Sequence, residues 1–187
     1  MKNVFHRKKE KKRNPDFVPL SFPDGLKYWE LIKNGGDRWK VEDMPGDCGP
    51  AFIDKTVTKY FTTSYQMCLK QQVVDLLEEG LTAEELDRGS PVTVEDWYCS
   101  RSDCGCVYQL TVHLLDKNKE VIENFKKERL EIDPETDGCL WRQVQHTFTE
   151  YGQGLRFISF EHGGKDTKFW SGWYGVRVTA SSIFLEL

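Results

Sequence analysis

The stretch Val107-Tyr108-Gln109-Leu110-Thr111-Val112-His113-Leu114-Leu115 decides the fold class. Tyr108, Leu110, Val112 and Leu114 recur at a period of two, with Gln109, Thr111 and His113 between them. Side chains alternate across a strand, so this run is a strand with one apolar and one wetter face, the pattern of an antiparallel sheet. Just beyond it, Asp116-Lys117-Asn118-Lys119 is a polar turn and residues 121–125 return, which predicts a hairpin. Upstream, Val92, Val94 and Asp96 alternate with Thr93, Glu95 and Trp97, a second strand with mixed faces.

Farther out the same grammar repeats. Residues 142–148, 155–160 and 176–187 supply three more strands, and Trp39-Lys40-Val41-Glu42 alternates after the turn signal Asn34-Gly35-Gly36-Asp37. Residues 60–77 are rich in aromatic and β-branched side chains, which reads as one long strand or two short ones, with 69–77 also open to a helix. Thr82-Ala83-Glu84-Glu85 fits a capping box and predicts a short helix to about Asp87, ended by Ser90-Pro91. Phe160 to Gly175 sets four glycines and the four rings of Phe169, Trp170, Trp173 and Tyr174 between β-like runs, and it reads as a loop that displays flat rings. Many short strands with polar turns and little helix predict an all-β chain: an antiparallel β-sandwich of jelly-roll (galactose-binding-like) type with one or two short helices.

Length and charge bound the function. At 187 residues the chain fits one domain with a short appendage. A formal charge of −4 argues against a general nucleic-acid or membrane-surface binder, which needs a clustered basic face. Basic residues do crowd the start (Lys2, Arg7, Lys8, Lys9, Lys11, Lys12 and Arg13), and residues 1–14 are expected to be a flexible leader or a helical stub, with the domain over 15–187. No apolar run follows those charges and no stretch is suited to span a bilayer, so a cytoplasmic location is expected. The six cysteines (48, 68, 99, 104, 106 and 139) are then expected as buried thiols.

The chemical constellations are weak. Cys99, Cys104 and Cys106 lack the paired C-x-x-C spacing of a zinc knuckle, and no metal or cofactor is expected. A Cys/His nucleophile pair, Cys106 with His113 or His146, lacks an orienting third group in the sequence. A glycosidase needs two carboxylates about 5 to 10 Å apart, for which Asp96, Asp103, Glu161 and Asp166 are formal candidates. No glycine-rich loop opens a helix to cradle phosphate. A non-catalytic role is therefore expected.

Seven phrases carry a family resemblance: Asn34 through Glu42, Lys59-Tyr60-Phe61, Gln72-Val73-Val74-Asp75-Leu76, Glu95-Asp96-Trp97-Tyr98, Arg101-Ser102-Asp103-Cys104-Gly105-Cys106, His146-Thr147-Phe148 and Phe160-Glu161-His162-Gly163-Gly164. Together, in order and from about Arg13 to the C-terminus, they resemble the F-box-associated domain, and more narrowly the sugar-recognising F-box proteins that serve as substrate receptors of SCF ubiquitin ligases. The resemblance implies a two-sheet sandwich whose end loops bind the chitobiose core of N-linked high-mannose glycans on misfolded glycoproteins, for ubiquitin-dependent degradation linked to the endoplasmic reticulum. Carried onto this sequence, the binding positions are Tyr65, Asp103, Phe169, Trp170 and Ser171, with Trp173 and Tyr174 anchoring the loop. Phe169 and Ser171 depart from the family's Tyr-Trp-Lys pattern. Coupling to ligase components is implied only with an F-box, and the basic leader is what precedes the domain here. F-box-less relatives such as the piscine non-specific cytotoxic cell receptor proteins give the alternative, a protein-interaction domain without glycan binding.

Overall fold

A computed structural model describes residues 5–8 and 25–186. In chain order the strands are β1 (Phe5–Lys8), β2 (Glu30–Asn34), β3 (Lys40–Asp43), β4 (Lys59–Thr62), β5 (Cys68–Asp75), β6 (Val92–Cys99), β7 (Cys106–Leu115), β8 (Val121–Ile132), β9 (Arg142–Phe148), β10 (Phe157–Asp166) and β11 (Arg177–Glu186). Two single-turn helices, α1 (Ala83–Leu86) and α2 (Pro134–Asp137), lie in connections. One sheet runs β3-β4-β11-β6-β9 and the other β2-β5-β10-β7-β8, antiparallel throughout, while β1 pairs in parallel with the far half of β11. This is the jelly-roll sandwich that the alternation predicts.

The alternation at β7 is borne out residue by residue. Tyr108, Leu110, Val112 and Leu114 are all 1% exposed or less and meet Val92, Val94, Val178, Ile183 and Leu185 of the opposite sheet in one core cluster. The hairpin after β7 forms, with β8 extending to Ile132 rather than stopping at residue 125. Residues 60–77 resolve into β4 and β5 with no helix. At α1, Thr82 accepts from the Glu85 N–H while the Glu85 carboxylate accepts from the Thr82 N–H, the predicted capping box.

Three expectations are corrected. Most of the expected leader over 1–14 lies outside the described residues, but Phe5–Lys8 is strand rather than helical stub, because the edge of β11 offers its N–H and C=O groups there. Cys48 is exposed and Cys139 half-buried, whereas the other four thiols are buried. The third correction concerns Gly163-Gly164, read as part of the aromatic loop: both lie inside β10, paired on one side with β5 and on the other with β7. A Cβ on Gly163 would fall 2.0 Å from the Cys68 carbonyl oxygen, and one on Gly164 1.7 Å from that of Val107. The glycines are there because three backbones converge, a use of glycine that sequence punctuation cannot separate from a turn.

The inward row of the second sheet also carries polar groups. Lys70 of β5 and His162 of β10 are fully buried, with Nζ 2.6 Å from Nε2, and His162 Nδ1 is 2.5 Å from Asp96 Oδ2 of the opposite sheet. The Tyr108 hydroxyl (2.6 Å) and Ser181 hydroxyl (2.7 Å) also donate to Asp96. The Lys70 ammonium lies 3.1 Å from the Trp29 ring centroid and 4.0 Å from that of Phe61, and His162 stacks on Trp29 at 5.1 Å. A neutral His162 that accepts from Lys70 and donates to Asp96 satisfies every member, which is what allows a buried cation and anion to persist here. Burial holds both the Lys70 and His162 pKa values down, and it pushes the Tyr108 phenol up so that it remains a donor.

Candidate functional site

The end of the sandwich nearest Asp166 is assembled from four loops, and Asp166 itself organises the longest. Its side chain is 1% exposed, its N–H donates to the Ser64 carbonyl (3.1 Å), and the next residue's N–H donates to the Gly105 carbonyl (3.1 Å). Its carboxylate accepts from the N–H of Phe169 (2.6 Å) and of Trp170 (3.0 Å). An aspartate that bonds amides three and four residues on reverses the chain as a backbone turn would. The reversal puts Phe169 at φ 56°, a left-handed conformation that costs a non-glycine residue about 1 kcal/mol or more. The outcome is a phenylalanine 64% exposed and a tryptophan 43% exposed, side by side.

The turn at Asn34–Asp37 supports this loop from the other flank. Ser64 Oγ donates to the Gly172 carbonyl (2.8 Å) and accepts from the Asp37 N–H (2.9 Å), while the Gly172 N–H donates to the Asp37 carboxylate (2.5 Å). Gly36, at φ 58°, lies so close to Tyr65 that a Cβ would sit 3.0 Å from two ring atoms. Tyr65 in turn meets Phe169 edge-on, with centroids 4.8 Å apart. Trp173 donates its indole N–H to the Arg38 carbonyl (3.1 Å) under the Lys40 ammonium, and Tyr174 meets Trp170 edge-on at 5.4 Å. Both are half-buried and sit at the base of the loop.

Asp103 belongs to the loop between β6 and β7. Arg101 donates to both of its carboxylate oxygens at 2.7 Å, and that pairing holds the Asp103 carboxyl below the usual carboxylate range. The Arg101 guanidinium also lies 4.6 Å from the Tyr174 ring, so the acidic loop and the aromatic loop share a layer of contacts. Lys168 crosses between them: its ammonium donates to the Asp103 carbonyl (3.0 Å) and stands 4.6 Å from the Trp170 ring centroid. A polar groove of about 250 Å³ opens beside this crossing, lined among others by Ser102, Asp103, Glu131, Glu135, Thr167 and Lys168.

The five positions carried over from the sequence therefore gather at one end. Tyr65 and Phe169 touch, Trp170 follows on the same turn, Ser171 is exposed between Trp170 and the pinned Gly172, and Asp103 reaches them through Lys168. Asp37, Ser64, Asp166 and Lys168 were not singled out for this role. The one local signal was the spacing of Asp166 three residues before Phe169, which is that of an aspartate turn. Of the formal carboxylate candidates for hydrolysis, Asp96 is sealed in the core, Asp103 is paired with Arg101 and Asp166 is spent on backbone amides. Among the described residues no group of His, Cys, Asp or Glu is disposed to hold a metal ion, and no helix is long and apolar enough to cross a membrane.

Comparison with known proteins agrees with this architecture. Among solved structures, the enzymatically active domain of tailspike protein 4 from bacteriophage CBA120 superposes with a TM-score of 0.57 over 92% of this chain and 22% of its own, at 12% identity, a likeness of fold alone. F-box only protein 2 of Bos taurus is 46% identical over 165 residues, 87% of this chain and 56% of that protein. F-box only protein 6 of Homo sapiens is 49% identical over 159 residues (84% and 54%), and F-box only protein 44 of Homo sapiens 48% over 161 (86% and 63%). The chain thus spans little more than half the length of these relatives. The F-box associated region matches residues 3–185, nearly the whole sequence, and the chain belongs to that family.

Proposed function

We propose that this chain is a non-catalytic recognition module that binds the chitobiose core of N-linked high-mannose glycans on misfolded glycoproteins in the cytoplasm. Joined to an F-box, it would present them to an SCF ubiquitin ligase for degradation linked to the endoplasmic reticulum. The observation that carries the reading is the pair Phe169 and Trp170, held out in solvent by a buried aspartate beside Asp103. Leaving a ring of this size in water forgoes about 1.5 to 3 kcal/mol of burial, which a ligand contact would recover. The apolar C–H face of a pyranose suits the rings, and its hydroxyl edge suits the carboxylate, whose pairing with Arg101 uses two of about four acceptor sites. Membership of the F-box associated region family supports the same reading.

A glycan array or a pull-down with high-mannose glycoprotein tests it. The wild-type chain should retain these ligands and Trp170→Ala should not. Equal retention by both proteins, or by neither, removes the reading. The alternative, a protein-interaction domain without sugar binding, is favoured by the bidentate grip of Arg101 on Asp103. It fails where the wild-type chain binds chitobiose and Asp103→Ala does not.

A further inference from the structure

Lys168 is the one cation of the aromatic loop over residues 167–173, and it stands where the two halves of the site meet. Its ammonium has three N–H donors. Among the described residues it makes one hydrogen bond, to the Asp103 carbonyl at 3.0 Å. The same group lies 4.6 Å from the Trp170 centroid, within reach of the ring's electron-rich face. It also lines the polar groove of about 250 Å³ whose other walls include Asp103, Glu131 and Glu135. These neighbours differ in what they offer a ligand. Carboxylates accept hydrogen bonds and so serve hydroxyl groups; a ligand carbonyl needs a donor, and a charged donor gives the stronger bond.

We infer that Lys168 is a specificity-determining residue of this site, tying the Trp170 turn to the Asp103 loop and donating to the acetamido oxygen of an N-acetylated sugar. The inference rests on the glycan-binding reading above and adds to it a preference: chitobiose over cellobiose, which has the same linkage and ring shape and lacks the acetamido groups. The tie to the Asp103 carbonyl uses one donor and fixes where the ammonium stands. The two remaining donors serve the ligand. A purely structural brace would weaken every ligand alike when removed, whereas a missing donor removes one ligand's advantage.

The test titrates the full chain with chitobiose and with cellobiose, comparing wild type, Lys168→Met, Lys168→Arg and Trp170→Ala. Lys168→Met keeps the apolar stem and should lose on the order of tenfold in chitobiose affinity with cellobiose binding nearly unchanged, a loss in keeping with one charged hydrogen bond. Lys168→Arg should restore most of the preference. Unchanged chitobiose binding by Lys168→Met overturns the inference while leaving the glycan reading intact, and so does an equal loss for both disaccharides. A wild-type chain that binds neither disaccharide removes the glycan reading, and the specificity role with it. The tie is then judged by amide hydrogen exchange over residues 101–105 and 167–172, which should quicken in Lys168→Met; unchanged exchange overturns the tie as well.

Discussion

At the centre of the sandwich a lysine sits among tryptophans out of reach of solvent, while at its end a phenylalanine and a tryptophan stand in water. Both regions invert the usual placement of polar and apolar side chains, and both do so around a nearly inaccessible aspartate. Asp96 accepts from His162, Tyr108 and Ser181, so that Lys70 is buried within a closed polar chain. Asp166 accepts from two backbone amides, so that the turn, and not a side chain, is what it fixes. The same acceptor chemistry therefore yields internal cohesion in one place and enforced exposure in the other.

Separate substitutions should pull the two regions apart. Asp96→Ala leaves Lys70 as an uncompensated buried charge and should cost about 3 to 5 kcal/mol, read as a lowered urea midpoint at constant slope. A midpoint within experimental error of wild type would mean that the central chain contributes nothing. Asp166→Ala strips the acceptor from two amides and should cost about 1 to 2 kcal/mol. Its larger effect should be on chitobiose titration, where binding is lost although the core is untouched; retained binding would detach ring display from Asp166.

Acid should act on the central region and spare the loop. The folded-state pKa of His162 is held below its ordinary value of 6.5, first by burial, so the unfolded chain takes up the proton more readily. Stability is then fully present above about pH 6.5 and falls as pH drops toward the folded value, by at most ~1.4 kcal/mol per pH unit for this one group. Lys70, held down from 10.5 by burial, acts in the same direction at higher pH, its stability contribution declining as pH falls below the unfolded value. Urea midpoints at pH 7.5 and 5.5 check this, and the fall should be the same size in Asp166→Ala. The smallest stability effect is expected at the ring itself. Phe169→Gly relieves the left-handed backbone but frees the unfolded chain, leaving stability within about 0.5 kcal/mol of wild type while chitobiose binding falls. A loss of several kcal/mol would instead make Phe169 part of the fold.

The legible parts of this chain were those written in local pattern. Alternation over Tyr108 to Leu114 gave the buried face of β7, and Thr82 with Glu85 gave α1 to within a residue, because each depends on neighbours close in sequence. Lys70 was not legible as buried, since a lysine reads as an outward residue and its partners His162 and Asp96 lie on other strands, His162 being 92 positions away. Gly163 and Gly164 misled for a related reason: what demands them is the backbone of Cys68 and Val107, not the chain on either side. At the candidate site, the aromatic loop was read from its own rings and glycines, whereas Tyr65 and Asp103 were singled out through family resemblance. Asp166, Asp37 and Ser64 act by holding backbone, and that role depends on tertiary position.

Asp166 is the last residue of β10, a strand paired on both sides for most of its length. The turn that bears Phe169 and Trp170 is accordingly bolted to the central strand of a five-stranded sheet, not hung from a free tether. A ligand arriving there meets a preorganised surface, so little conformational entropy is lost on association. Affinity differences among ligands should then be expressed in how long each stays bound, with capture rates nearly alike.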